Sequence, residues 1–207
     1  MKGLLLKDLF ALRKQGKIVL LLVLFYLFYS ILSKNVSMLS AMITMLCAFL
    51  PITTMSYDEM CKWDRYALSM PISRKTVVYS KYLFGVLLIL ACILTITPIS
   101  AFIVNYTGEM NTWSAFRMIL AMGGIAAVFL ALIMPLLFKF GVEKARLLMF
   151  LLIFIPVAAG YGITKLGIKM PDKNILDLLT YLSPLLVLVI VCISAAISVK
   201  IYTRKEF

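Results

Sequence analysis

The segment SYDEMCKWDRYALSMPISRKTVVYSKY, residues 56–82, is the longest polar stretch of a chain that is otherwise largely apolar. Three acidic and five basic residues fall between positions 57 and 81. Long apolar runs flank the segment, at 38–56 before it and 83–104 after it. This pattern predicts a loop that leaves the membrane between two spans. A chain this apolar has few other places for a partner to bind, so residues 57–81 are the first candidate site.

Composition makes lipid the solvent for most of the chain. The 207 residues are 63% hydrophobic, with a mean hydropathy of +1.04, whereas soluble domains contain about 45–50% apolar residues. A bilayer-spanning helix needs about 17–25 residues. Six runs of about that length predict an all-α membrane protein with six transmembrane helices, at 18–33, 38–56, 83–104, 118–138, 147–164 and 178–199.

The distribution of basic residues predicts the orientation of these spans. The net charge is +12, and the 21 lysines and arginines are sorted by loop. When the N-terminus is placed on one side of the membrane, only Lys34, Arg117, Lys165, Lys169 and Lys173 fall on the other side. Because cytoplasmic loops are enriched in Lys and Arg, both termini are expected in the cytoplasm. The charge therefore favours contact with the lipid bilayer, and no nucleic-acid partner is expected.

Several classes of chemistry lack the residues they need. The chain has no histidine, which removes His metal sites and His-dependent triads. Its four cysteines suggest no disulfide framework. No acid or base lies in the middle of a predicted span, unlike in most ion-coupled transporters. Without a GxxxxGK[ST] phosphate loop, P-loop ATP binding is not expected either. We expect no catalytic residue, no metal and no cofactor on this chain.

Two shorter segments complete the predicted organisation. Residues 1–16 have Leu5, Leu9 and Phe10 on one side and Lys7 and Asp8 on the other, which predicts an amphipathic helix at the membrane interface. The alternative is a short basic tail. Residues 165–180 are expected to form a short outward loop, either as an interfacial segment or as a solvated connector.

The polar segment itself predicts two helices. Over 57–70 the apolar stripe consists of Met60, Trp63, Ala67 and Met70, with Tyr66 on its edge, and the opposite face consists of Asp58, Lys62, Arg65 and Ser69. Pro71 ends this helix, and Ser73 is placed to cap the next one. Such a helix suits docking into a groove on another protein. The alternative is a solvated loop whose Trp63 and Tyr66 lie at the headgroups.

The order of residues in this segment resembles the permease subunits of type-2 ABC transporters, which have the type V exporter fold. Glu59 follows the second span, the run LSMPISR contains Pro71, Ser73 and Arg74, and Lys81 opens the third span. The small bacterial members are the most similar. The specific residues cover about 25 positions, whereas the similarity in topology covers the whole chain.

The resemblance implies one permease domain, 1–207, with an N-terminal interfacial helix at 1–16, a cytoplasmic coupling loop at 57–81 that carries a coupling helix, and an outward loop at 165–180. It also implies a separate ABC ATPase that binds ATP and Mg²⁺, a second permease subunit, and the bacterial plasma membrane. Export of an amphipathic peptide, a lipid or a drug is expected. The residues expected to contact the ATPase are Asp58, Glu59, Met60, Lys62, Trp63, Arg65, Tyr66, Pro71, Ser73 and Arg74.

Two other functions are alternatives to a transport permease. A non-transporting membrane assembly or sensor subunit would have the same spans without a cargo path. An intramembrane enzyme is disfavoured because no serine motif of the GxSxG type and no intramembrane acid pair is present.

Overall fold

A computed structural model describes residues 2–13, 15–33, 36–69, 72–107, 111–165 and 173–204, and in these ranges the only regular structure is α-helix. The helices are α1 (Lys2–Arg13), α2 (Gly16–Ser33), α3 (Val36–Met60), α4 (Trp63–Ser69), α5 (Arg74–Thr107), α6 (Thr112–Phe140), α7 (Val142–Lys165) and α8 (Lys173–Arg204).

Within the described ranges, five helices are long and apolar enough to cross a membrane, by length and composition alone. They are Gly16–Ser33, Ser37–Met60, Arg74–Tyr106, Thr112–Phe140 and Ser183–Arg204. Each contains one of the predicted spans or most of it. The remaining predicted span, 147–164, falls in α7, where the side chains at 153 and 155–164 lie outside the described set. A count of six spans therefore stays a prediction.

The predicted outward loop at 165–180 is shorter than expected. Helix α7 continues to Lys165 and α8 begins at Lys173, so the chain is already helical over 173–180. The predicted turn at 170–172 lies outside the described residues.

Helix α6 is the centre of the bundle and packs against α3, α5, α7 and α8. Close approach is possible because many of its buried positions hold small residues, namely Ala115, Gly123, Ala126, Ala127 and Ala131. A Cβ added at Gly123 would lie 2.6 Å from Cδ1 of Ile93 in α5. One at Gly124 would meet only Val187, at 3.6 Å. Of the two neighbouring glycines, Gly123 is the one that close helix packing requires.

Helices α3 and α5 are also joined covalently. Cys47 and Cys92 form a disulfide beside a buried cluster that includes Leu39, Ile43 and Ile96. The sequence-based expectation of no disulfide was wrong for this pair. The cysteine count gave no indication that two of the spans pack with their cysteines facing each other. Cys61 and Cys192 are free.

Candidate functional site

The coupling segment, residues 57–81, starts as a continuation of the second predicted span. Helix α3 runs through Met60, and the chain then turns at Cys61 and Lys62 before α4 begins at Trp63. Lys62 has a φ of +50°, a left-handed conformation that ends a helix. The backbone N–H of Lys62 donates to the carbonyl of Glu59 at 3.1 Å and closes this end. The predicted single helix over 57–70 is therefore wrong.

The break separates the residues of the predicted apolar stripe. Ala67 is buried, and Trp63 is half-buried against the main core. Met60 and Tyr66 are exposed, at 77% and 62%. Trp63 therefore packs against the core of this chain with only part of its side chain exposed, and its predicted contact with an ATPase stays a prediction. Residues 70–71, and with them Met70 and Pro71, lie outside the described residues, as does the side chain of Arg65.

Four charged side chains meet where α1, α3 and α5 converge, and we call them the ion-pair cluster: Lys7, Asp8, Asp58 and Lys81. The Lys81 ammonium lies 2.7 Å from Asp8 Oδ1 and 2.6 Å from Asp58 Oδ2. The Lys7 ammonium lies 2.5 Å from Asp58 Oδ1 and 3.3 Å from Asp8 Oδ1. Each ammonium thus contacts both carboxylates, and the four formal charges cancel.

Burial makes this cancellation necessary. Asp8 is 1% exposed and Lys81 is 4% exposed. Removing one partner from a buried ion pair leaves an uncompensated charge, which is strongly destabilising. The cluster therefore holds α1 against α3 and α5 only when all four charged side chains are present.

Three members of the cluster, Lys7, Asp8 and Lys81, were not among the residues predicted to contact the ATPase, although Lys81 was part of the sequence motif. The sequence placed Lys7 and Asp8 on the polar face of an interfacial helix over 1–16, and the structure has a helix at Lys2–Arg13. Its polar face, however, points into the protein, while Leu6, Leu9 and Phe10 are exposed. One signal was available, since Asp8 is the only acidic residue before Asp58.

Helix α4 is attached to the cluster through Trp63. The Lys7 ammonium lies 4.4 Å from the centroid of the indole ring, a cation–π contact. The indole Nε1 and Asp8 Oδ2 are both buried without a hydrogen-bond partner. Because Lys7 contacts both Trp63 on α4 and Asp58 on α3, any displacement of α4 would disturb the Lys7 side chain.

Glu59 connects the coupling segment to α7. Its Oε2 accepts a hydrogen bond of 2.6 Å from the backbone N–H of Val142, the first residue of α7. A carboxylate at this position satisfies a free helix N–H and complements the positive end of the helix dipole. The preceding residue, Gly141, has a φ of +79°, and a Cβ there would lie 2.7 Å from Glu59 Oε1. Only glycine adopts this φ without strain and also leaves room for the Glu59 carboxylate.

Contacts from the first turn of α4 and from the first residue of α5 both reach α8. The Tyr202 hydroxyl donates to Asp64 Oδ1 at 3.0 Å, and Arg74 Nη1 donates to the carbonyl of Thr203 at 2.8 Å. Ser73 Oγ accepts a hydrogen bond from the N–H of Thr76 at 3.2 Å, which confirms the predicted cap of α5. The coupling segment is thus bonded to the last helix at two positions.

A buried polar contact continues deeper along α5. The Tyr82 hydroxyl lies 2.6 Å from Ser194 Oγ and 2.7 Å from Ser198 Oγ, both on α8. Ser194 Oγ also donates to the carbonyl of Ala131 in α6. These bonds join α5, α6 and α8 through the residue that directly follows Lys81 of the ion-pair cluster.

A small cavity of about 70 Å³ lies among these contacts. Its polar lining includes Asp58, Glu59, Asp64, Lys81 and Tyr202. The volume suits one or two waters. In the part of the chain that the structure describes, no group of three or more His, Cys, Asp and Glu side chains is arranged to hold a metal. The arrangement joins the ends of helices through ion pairs and hydrogen bonds.

One of the comparisons with known proteins identifies a family. The protein-family model described as ABC-2 family transporter protein matches residues 3–203. Among curated proteins and solved structures, none matches the sequence. The matched residues include the ion-pair cluster, the coupling segment and all five helices that are long enough to cross a membrane. Because the match extends over nearly the whole chain, the protein belongs to the ABC-2 family of transporter proteins, the membrane permeases of ABC transporters.

Proposed function

We propose that this chain is the permease subunit of an ATP-driven exporter, and that it couples to a separate ATPase through the coupling segment. The observation that carries this proposal is the set of bonds that leave the segment. Asp58 contacts α1 and α5, Glu59 caps α7, and Asp64 bonds to α8. A force applied to α4 would reach every helix to which these residues are bonded.

The exposed side of the segment is the proposed ATPase surface. Met60, Lys62, Tyr66 and Ser69 are all exposed at the turn and along α4. An exposed aromatic beside an aliphatic thioether and a cation has the composition of many protein interfaces. Trp63 and Asp58 hold this surface in place from behind.

ATP and Mg²⁺ belong to the proposed ATPase. The sequence contains no GxxxxGK[ST] phosphate loop, so we assign this chain a transport role without enzymatic activity. Closure of the ATPase pair would move the coupling segment, and the segment would move the spans between inward-open and outward-open arrangements.

The proposed assembly contains two permease subunits, identical or similar, and two ATPase chains. We infer a path between the two permeases because so few spans leave little room for a path within one chain. An amphipathic peptide, a lipid or a drug is the proposed cargo. The positive-inside distribution of Lys and Arg supports the bacterial plasma membrane with the coupling segment and both termini in the cytoplasm.

The test is affinity purification of the tagged permease in mild detergent from the cells that produce it, followed by mass spectrometry. We expect an ATPase with a P-loop to co-purify in a 1:1 ratio, together with two copies of the permease or one copy and a similar chain. ATP hydrolysis in the reconstituted complex should rise with cargo. Recovery of a lone monomer from cells that contain the ATPase would favour the assembly or sensor function instead.

A further inference from the structure

A groove of about 500 Å³ lies between α3 and α7, apart from the ion-pair cluster. Its apolar walls come from residues such as Phe49, Ile52 and Met149. At the end near α1 the lining is polar and includes Gln15, Tyr57 and Arg146. The groove therefore has apolar walls along most of its length and a polar end, which we call the polar head.

The polar head carries a single charge. Arg146 is exposed, and it is the only charged side chain in the described lining. The nearby acid on α7, Glu143, forms no ion pair with it within 4 Å in the described structure. Gln15 Nε2 donates to the Tyr57 hydroxyl at 3.4 Å, which does not use the phenol hydrogen. The head thus offers a guanidinium and a hydroxyl donor to an anion.

The depth of the groove fits one leaflet of a bilayer. Tyr57 and Phe49 are eight residues apart on α3, about 12 Å at 1.5 Å per residue. Half of the hydrocarbon core is about 15 Å thick. The polar head adjoins α1, whose Leu6 and Leu9 are exposed and suited to the lipid interface. A bound amphiphile would therefore have its head at the interface and its tail along the apolar walls.

A second groove provides an internal comparison. It has nearly the same volume, about 520 Å³, and is lined by residues such as Leu12, Val19, Leu24 and Leu50, with no charged side chain among the described lining residues. Acyl chains alone could fill that groove. What distinguishes the groove between α3 and α7 is the cation at its head.

We propose that the groove between α3 and α7 binds an anionic phospholipid from the leaflet next to α1, with the phosphate on Arg146. A planar guanidinium binds phosphate oxygens in a bidentate manner, and charge-assisted hydrogen bonds of this kind are the strong ones. The proposal concerns a lipid site and stands whether or not the cargo is a lipid.

The test measures the first lipid that binds to the purified, delipidated chain by native mass spectrometry. Phosphatidylglycerol and phosphatidylcholine with identical acyl chains are compared, so that only the head differs. Both lipids have the phosphate, but the choline ammonium of phosphatidylcholine places a second positive charge near Arg146, so we expect the parent to prefer phosphatidylglycerol by about tenfold. Arg146→Gln should remove this preference, whereas Arg146→Lys should keep part of it.

The matched control is Lys144→Gln, which removes an exposed cation from the same turn of α7 but outside the groove. It should leave the preference unchanged. An equal loss in both variants would show a general surface-charge effect and overturn the site. Binding of inorganic phosphate by the parent but not by Arg146→Gln, with neither phospholipid bound, would mean that the groove does not hold acyl chains, which also contradicts the proposal. If Arg146→Gln shifts the monomer–dimer ratio without changing lipid preference, a second copy covers the groove and the proposal is wrong.

Discussion

Asp8 Oδ1 and the Lys81 ammonium form an ion pair of 2.7 Å across 73 residues of sequence. Both side chains are almost fully buried. The pair attaches a helix with lipid-facing leucines to the start of the third predicted span. It therefore turns an otherwise peripheral helix into a part of the bundle.

The first prediction concerns the completeness of the ion-pair cluster. Asp8→Asn leaves two ammonium groups facing one carboxylate, so we expect a loss of about 3 kcal/mol in the free energy of unfolding. Thermal unfolding in detergent would measure it. Asp8→Asn combined with Lys81→Met restores neutrality and should be less destabilised than the sum of the two single variants. Glu143→Gln, on the exposed side of α7, is the control and should change little. Additive effects in the double variant would contradict the cluster.

The second prediction concerns the cap of α7. Glu59→Gln keeps an acceptor oxygen but removes the charge at the helix N-terminus, which should cost about 0.5–1 kcal/mol. Gly141→Ala should cost more, because alanine is strained at a φ of +79° and its Cβ would press on the Glu59 carboxylate. The same unfolding measurement applies. Equal stability of Gly141→Ala and the parent would show that Glu59 does not occupy this position.

The third prediction separates packing from partner binding in the coupling segment. Trp63→Ala removes the cation–π contact and part of the core packing, so we expect lower stability, by about 2 kcal/mol. Tyr66→Ala should leave stability unchanged but weaken binding of the ATPase by about thirtyfold, as for a typical aromatic anchor.

The control for this comparison is Trp113→Ala. Trp113 is 57% exposed, close to the 62% of Tyr66, but it lies at the start of α6. Binding of the ATPase, measured by co-sedimentation or surface plasmon resonance, should be unaffected by that change. If Tyr66→Ala binds as well as the parent, the exposed side of α4 is not the ATPase surface.

The fourth prediction concerns orientation. Cys61 is exposed at the turn before α4, so in a Cys192→Ser background it should react with a membrane-impermeant maleimide in inverted vesicles but not in intact cells. Asn111→Cys, in a background that also lacks Cys61, should give the opposite pattern, because it precedes α6 at the other end. Labelling of Cys61 from outside would reverse the topology and remove the ATPase surface from the cytoplasm.

The fifth prediction tests the sixth span. Helix α7 has 24 residues, about 36 Å in length, which exceeds the roughly 30 Å of the hydrocarbon core. We therefore expect Lys165→Cys, without the other free cysteines, to be labelled from outside the cell. Protection in intact cells together with labelling in inverted vesicles would instead leave α7 on one side of the membrane and the count at five.

Hydrophobic runs and local capping were predictable from the sequence because both depend on neighbours along the chain. The approximate positions of five spans and the cap by Ser73 are examples. The inward orientation of α1 was not predictable. Helical periodicity placed Lys7 and Asp8 on one face, but it could not show that this face meets Lys81 rather than water.

Trp63 and Lys62 are two further residues whose environment or conformation the sequence did not predict. An aromatic residue among charges has the same pattern whether it packs on the core or lies in the headgroups, so the exposure of Trp63 depends on contacts with α1. A lysine in a left-handed turn carries no sequence signal, because that conformation is more typical of glycine or asparagine. The bend at Lys62 follows from how α4 packs.

The long separation between Asp8 and Lys81 also sets an order of events during synthesis. When α1 reaches the membrane, its buried carboxylate has no partner beyond the neighbouring Lys7, and Asp58 then adds a second acid. The fourth charge arrives only when the third span is made, since Lys81 lies eight positions into α5. The ion-pair cluster can therefore close only after α3 and the start of α5 have been made, and until then we expect the exposed leucines of α1 to hold this helix at the bilayer surface.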